Sequence, residues 1–256
     1  MDRDRSTSGT LGDLTMVINV VSLFPEFMEA TTRVGILDRA RRNRVVGYRF
    51  LSPRDFAKDK HGTVDDSPYG GQPGMIMMAQ PMVEAVEKIQ AESEHPGHPV
   101  IMLSPRGRPY DQKAAKRLSR EAEITLLCGR YKGMDERIRD LVVTEEISLG
   151  DFILTGGELA AAIVIDSVVR LLPDVMTDLE SAETDSFGAD KDGGLDWPHY
   201  TRPMEYQGLK VPGVLLSGDH AKIKQWREEQ SRRLTQEQRP DLFTNAGPES
   251  PEGPGR

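Results

Sequence analysis

Short apolar runs rich in β-branched residues recur along the first part of the chain, separated by stretches of helical spacing. Val17-Ile18-Asn19-Val20-Val21, Val45-Val46-Gly47-Tyr48-Arg49-Phe50, Val100-Ile101-Met102-Leu103, Ile124-Thr125-Leu126-Leu127-Cys128 and the segment 142–149 have the length and composition of strands. One helix is expected from the Leu23-Phe24-Pro25 turn, carrying Phe27, Val34, Ile36 and Leu37. Others are expected over 81–92, from Asp111 to Arg120, over 134–141 and over 158–171. This alternation predicts an α/β fold with a parallel sheet and helices on its faces. Ligands of such sheets sit beyond the carboxyl ends of the strands. Three loops leave those ends: 104–109, 129–133 and 150–157.

Two of these loops are rich in glycine. Gly129-Arg130-Tyr131-Lys132-Gly133 leaves one strand, and Gly150-Asp151-Phe152-Ile153-Leu154-Thr155-Gly156-Gly157-Glu158 leaves the next. Glycine lets backbone approach a ligand closely, because it lacks a Cβ and tolerates positive φ. No Walker pattern and no G-x-G-x-x-G follows a strand, so neither turn reads as a phosphate cradle. Taken singly, each is a tight turn between strand and helix. Together they suit a neutral or zwitterionic cofactor held mainly by backbone groups.

Apolar residues make up 37% and charged residues 29% of the 256, the balance of a globular chain. No apolar run is long enough to span a membrane, and the polar Met1-Asp2-Arg3-Asp4 start is unlike a signal peptide. The single cysteine, Cys128, fits a reducing cytoplasm. With no base paired to it in sequence, it reads as a small buried residue and not a nucleophile. The histidines lack zinc spacing, and no G-x-S-x-G is present. A net charge of −8 counts against indiscriminate nucleic-acid binding. Local basic clusters remain: Arg39, Arg41, Arg42 and Arg44, then Lys210, Lys222, Lys224, Arg227, Arg232 and Arg233.

Residues 1–15 read as a disordered leader, with Met16 a candidate start. Residues 57–74 form a long polar loop, and such loops are usually functional or disordered. Its Asp65 and Asp66 read as turn and capping residues before a metal pair. The Met75–Met78 run reads as core filler. Residues 174–198 are acidic and aperiodic, hence an interdomain linker. A basic helix is expected over 219–233, and 244–256 is a Pro/Gly/Glu-rich tail without structure.

Longer matches then point to a family. Phe24-Pro25-Glu26, Val64-Asp65-Asp66, Pro68-Tyr69-Gly70-Gly71, Leu103-Ser104-Pro105-Arg106-Gly107, Cys128-Gly129-Arg130-Tyr131, Asp135-Glu136-Arg137, Gly150 to Glu158, Asp166 to Arg170, Asp185-Ser186-Phe187, Pro198 to Pro203 and Val211-Pro212 with Val214 to Gly218 occur in order. Over roughly Met16 to Phe243 the sequence resembles the TrmD family of bacterial tRNA (guanine-N1)-methyltransferases, in the SPOUT class. The resemblance implies a SPOUT-type parallel sheet over 16–173 with a deep C-terminal trefoil knot, and a small helical tRNA-binding domain over 199–243. It implies S-adenosylmethionine bound by Leu103, Ser104, Pro105, Gly107, Gly129, Tyr131, Leu149, Gly150, Phe152, Leu154, Gly156 and Gly157. It implies Asp185 as general base toward guanine N1 and Arg170 as the cation facing the guanine O6. His199, Tyr200, Arg202 and Lys222 are the expected contacts to the tRNA anticodon arm. A cytoplasmic homodimer sharing its active site between subunits is also implied. So is a magnesium requirement with no legible ligand set.

Two positions depart from the family pattern. Lys132 stands where the family usually has Glu, and Gln72 stands in a run that is usually glycine. They keep open a tRNA-binding protein of this fold with reduced or lost catalysis; a SPOUT methyltransferase for another RNA position is a further alternative.

Overall fold

The computed structural model describes residues 14–176, 185–188 and 193–244. The expected disordered tail beyond Thr244, the leader up to residue 13 and much of the acidic linker lie outside these residues. The chain divides into two compact units, 1–177 and 178–256.

The first unit is built on a five-stranded parallel sheet. Its strands are β1 (Met16–Val21), β2 (Val46–Leu51), β5 (Val100–Pro109), β6 (Glu123–Cys128) and β7 (Glu145–Ser148), in the order β2-β1-β6-β5-β7. Both faces are covered, so the central strands β1 and β6 are largely apolar and their alternation shows in which core each residue enters. Met16, Ile18, Val20, Ile101, Leu103, Ile124, Leu126 and Cys128 join one buried cluster. Val21, Val100, Met102 and Leu127 join the other. The helices α1 (Pro25–Thr32), α2 (Gly35–Arg42) and α6 (Glu158–Val169) supply the first cluster, and α3 (Ala79–Glu92) and α5 (Glu136–Val142) the second. Helix α4 (Gln112–Leu118) adds Ala115 and Leu118 to the buried core and is capped by Asp111, whose carboxylate accepts from the Ala114 N–H at 2.8 Å.

Three expectations are corrected. The single helix after Pro25 is two helices, because Gly35 at φ +59° breaks it. The 57–74 loop is pinned at its end by a two-residue strand, β3 (Asp65–Asp66), antiparallel to β4 (Ile76–Met77). The strand expected over 142–149 is shorter, since Val142 still belongs to α5. Gln72 is not among the positive-φ residues; Gly70, Gly71 and Gly74 carry that conformation. The departure at position 72 therefore asks nothing unusual of the backbone.

A polar cluster crosses the sheet on its α3 side. The buried Glu123 accepts from Asn19 Nδ2 at 2.7 Å and from Ser93 Oγ at 2.6 Å. His98 Nε2 lies 2.8 Å from Thr125 Oγ1 beside it. Buried donors that lose an acceptor pay for desolvation without return. Glu123→Ala is therefore expected to lower the unfolding free energy by about 1–3 kcal/mol. This would be read as a lower urea midpoint at unchanged slope; an unmoved midpoint would refute the account.

The second unit contains a hairpin, β8 (Glu205–Tyr206) and β9 (Leu209–Lys210), and the helix α7 (His220–Gln238). The hairpin turns through Gln207 and Gly208, both at positive φ, as a two-residue turn between twisted strands demands. Asp219 caps α7 by accepting from the Lys222 N–H at 3.2 Å. Leu195 is tied to α7 at both ends of its peptide: its N–H donates to Thr235 Oγ1 at 2.9 Å, and its carbonyl accepts from Ser231 Oγ at 2.5 Å. A short helix, α8 (Asp241–Thr244), follows.

Candidate functional site

Strands β6 and β7 deliver their carboxyl-terminal loops, and β5 the irregular stretch between Leu103 and Arg108, to one cavity of about 440 Å³. Leu103, Ser104 and Pro105 line it from that stretch; the loop expected over 104–109 is therefore part of β5, because the chain returns to pair with β7 at Arg108 and Pro109. Gly129, Tyr131 and Lys132 line it from the second loop, and Leu149, Gly150, Phe152, Leu154, Gly156 and Gly157 from the third. The volume lies within the usual range of small-molecule sites, roughly 300–1,000 Å³. Backbone and apolar side chains dominate the lining; Arg106, Arg130, Lys132 and Glu136 are its charged members.

Gly107 is placed elsewhere. It does not line the cavity; a Cβ there would lie 2.4 Å from the backbone N and C of Ile147. Residues 104–107 leave the β5–β7 ladder, so that Leu103 and Arg108 both face Ile147. Gly107 is thus the point where β5 returns across β7. Gly157 has a similar place at the N-cap of α6, where a Cβ would lie 2.7 Å from Cys128 Cα. Its N–H donates to the Gly129 carbonyl at 2.9 Å, joining the second and third loops.

The second loop is held from below by β4. Met77 N–H donates to the Gly133 carbonyl at 2.9 Å, Asp135 N–H to the Met77 carbonyl at 2.9 Å, and Lys132 N–H to the Met75 carbonyl at 3.0 Å. Met77 is fully buried, so the methionine run supplies both core and a backbone rail. Tyr131 sits at φ +59°. Desolvation raises its phenol above the ordinary tyrosine range, and the neighbouring Asp65 carboxylate adds to the rise. Asp66 makes a local turn contact, accepting from the Ser67 N–H at 2.7 Å.

The loops meet over a buried ion pair absent from the sequence expectations. Arg130 Nη2 lies 2.9 Å from Glu158 Oε2, with the Glu158 side chain 3% exposed. Ser22 Oγ donates to Glu158 Oε1 at 2.7 Å, and the Arg130 guanidinium lies 4.4 Å over the Phe24 ring. Arg130 Nη1 also donates to the Thr155 carbonyl at 3.3 Å. Glycine at 156 leaves the space, since a Cβ there would lie 2.2 Å from Arg130 Nε. The carboxylate also sits in the first turn of α6, where the helix dipole favours it. The one available signal was an acid opening an otherwise apolar helix.

Cys128 is fully buried. Burial pushes its thiol well up, and the nearby Glu158 charge pushes the same way. A thiolate nucleophile at neutral pH is therefore unfavourable here. Among the described residues, no group of three or more His, Cys, Asp or Glu side chains is arranged to hold a metal ion. No described helix is long and apolar enough to cross a membrane.

Of the two residues named for catalysis, Arg170 is the C-cap of α6 in the first unit. Asp185 belongs to the second, where its carbonyl accepts from the Gly188 N–H at 3.0 Å. In that unit His199 Nε2 lies 2.7 Å from Asp196 Oδ2, and the exposed Tyr200 ring is 6.4 Å from that of Trp226. Arg202 is exposed. Lys222 Nζ pairs with Asp219 at 3.0 Å. The basic helix is more balanced than its lysines and arginines suggest. Lys224 pairs with Glu228 and Arg233 with Glu237, while Arg227 stacks 5.0 Å over Trp197. Trp197, Trp226 and Arg227 are aromatic and cationic contacts that the sequence reading did not single out as a group.

With this geometry in place, comparison with known proteins is specific. The profile of the family described as tRNA (Guanine-1)-methyltransferase TrmD matches residues 16–245. A Ralstonia nicotianae protein named tRNA (guanine-N(1)-)-methyltransferase is 50% identical over 232 residues, 90% of this chain and 87% of its own. Proteins with the same name from Anoxybacillus flavithermus and Dehalococcoides mccartyi are 49% and 47% identical, each over 228 residues and 89% of this chain, covering 91% and 90% of their own. A match of this extent carries both units, and the chain belongs to the tRNA (guanine-1)-methyltransferase TrmD family.

Proposed function

We propose that the protein methylates N1 of the guanine immediately 3′ of the tRNA anticodon, using S-adenosylmethionine as donor. The observation that carries this reading is the convergence on one cavity of the irregular stretch of β5 and the loops that follow β6 and β7. The names of the relatives agree with the reaction. The lining suits such a donor. Leu103, Leu149, Phe152 and Leu154 offer apolar surface for an adenine, the glycine loops offer backbone groups, and Lys132 offers a cation. When bound, the donor supplies an electrophilic methyl group on a sulfonium.

The protein must make guanine N1 a nucleophile, which requires taking its proton. Asp185 is the proposed general base, and Arg170 the cation that stabilises charge developing on O6. A guanine within structured RNA must also leave its stack. His199, Tyr200, Arg202 and Lys222 are the proposed contacts to the anticodon arm, with residues 199–243 as the RNA-binding domain.

The trefoil knot belongs to the same reading. It is supported by the return of β5 across Ile147 at Gly107 and the close approach of Gly157 to Cys128. Homodimerisation is supported by exposed apolar side chains on two packed helices, Phe27 on α1 and Leu159 and Ile163 on α6.

The test is transfer of labelled methyl into two tRNA transcripts, one with guanine and one with adenine just after the anticodon. Label in the guanine transcript alone is the expected result. Label in both would favour another RNA position. Label in neither, with tRNA still bound, would favour a binding protein, the reading that Lys132 keeps open.

A further inference from the structure

We propose that Lys132 is the cationic anchor for the carboxylate of the methyl donor's amino-acid group; this rests on the donor reading above. Arg130 is engaged by Glu158, and Arg106 by Glu136 at 2.9 Å and Glu146 at 3.8 Å. The cavity's one lining carboxylate, Glu136, is shared between Arg106 and Arg139, and both hold it below its ordinary range. Among the described residues, Lys132 is the lining cation with no ion-pair partner.

Its backbone and stem are held. The Lys132 N–H donates to the Met75 carbonyl, and the methylene stem lies along the backbone of Gly74. A Cβ at Gly74 would lie 3.0 Å from Lys132 Cδ and 3.2 Å from Cε. Gly74 has φ +102°, so glycine there serves both the turn and the passage of the lysine stem. A lysine stem held against backbone, on a residue that lines the cavity, is partly pre-organised. It loses less freedom on binding than a chain free in solvent.

A sulfonium donor carries an adenosine and a zwitterionic amino acid. The apolar lining suits the adenosine, and the carboxylate is the donor's only anionic group. A flexible ammonium in a partly exposed cleft recognises a carboxylate as a point charge. Its contribution should be modest, about tenfold in affinity.

The experiment is calorimetric titration of the whole protein and its Lys132→Gln and Lys132→Arg variants with two ligands. S-adenosylhomocysteine keeps the amino-acid carboxylate, while 5′-methylthioadenosine lacks it. In Lys132→Gln, affinity for S-adenosylhomocysteine is expected to fall about tenfold while that for 5′-methylthioadenosine holds. Lys132→Arg should retain most of the preference. Equal loss for both ligands, or no loss for either, overturns the anchor. Wild-type protein that binds neither ligand would instead overturn the donor reading itself, and the anchor with it.

Discussion

Glu158→Ala is expected to destabilise the first unit by about 3 kcal/mol, the lower part of the range for breaking a buried ion pair from one side. Glu158 is almost wholly buried, but the Arg130 side chain is 26% exposed, so water can partly rehydrate the stranded guanidinium. Ser22 Oγ loses its acceptor as well. Glu158→Gln keeps an oxygen for Ser22 and removes only the charge, so an intermediate loss is expected. Because the pair ties the second loop to the start of α6, S-adenosylhomocysteine affinity should fall in parallel. A double variant, Arg130→Met with Glu158→Leu, removes both charges and should recover part of the stability lost by either change alone. Strict additivity in denaturant titrations would show that the pair is not what holds these loops.

The strands were legible because both faces of the sheet are buried, so Val17–Val21 and Ile124–Cys128 read as apolar runs broken only by Asn19 and Thr125. The strand pair Asp65–Asp66 and Ile76–Met77 was not, since two residues carry no period. Nor was the break at Gly35, which looks in sequence like any glycine tolerated in a helix. The cavity was legible as three loops, because alternation of strand and helix fixes which ends they leave. Gly107 shows where that reasoning stops. A glycine reports that a Cβ is not tolerated but not whose backbone approaches, and here it is the protein's own Ile147. The Ser22–Glu158–Arg130 contact joins segments 136 residues apart in its longest link. No local pattern announces such a pairing.

Asp185→Asn is expected to lower kcat by about 10²–10⁴-fold, the usual worth of a positioned general base, while affinity for S-adenosylhomocysteine stays within about twofold. The change is nearly isosteric, so the local fold should persist. The Asp185 carbonyl still accepts from Gly188, the Phe187 N–H still donates to the Gly194 carbonyl at 2.7 Å, and Ser186 Oγ still accepts from the Asp196 N–H at 2.9 Å. What is removed is the ability to take a proton. The deficit should therefore depend on pH. As the pH rises toward the range where guanine N1 sheds its own proton, less is asked of the base and the variant should close on the wild type. An equal deficit across the pH range would mean that Asp185 positions the RNA without accepting the proton. A variant that turns over like wild type would remove Asp185 from the chemistry and leave Arg170 to be tested against another acceptor.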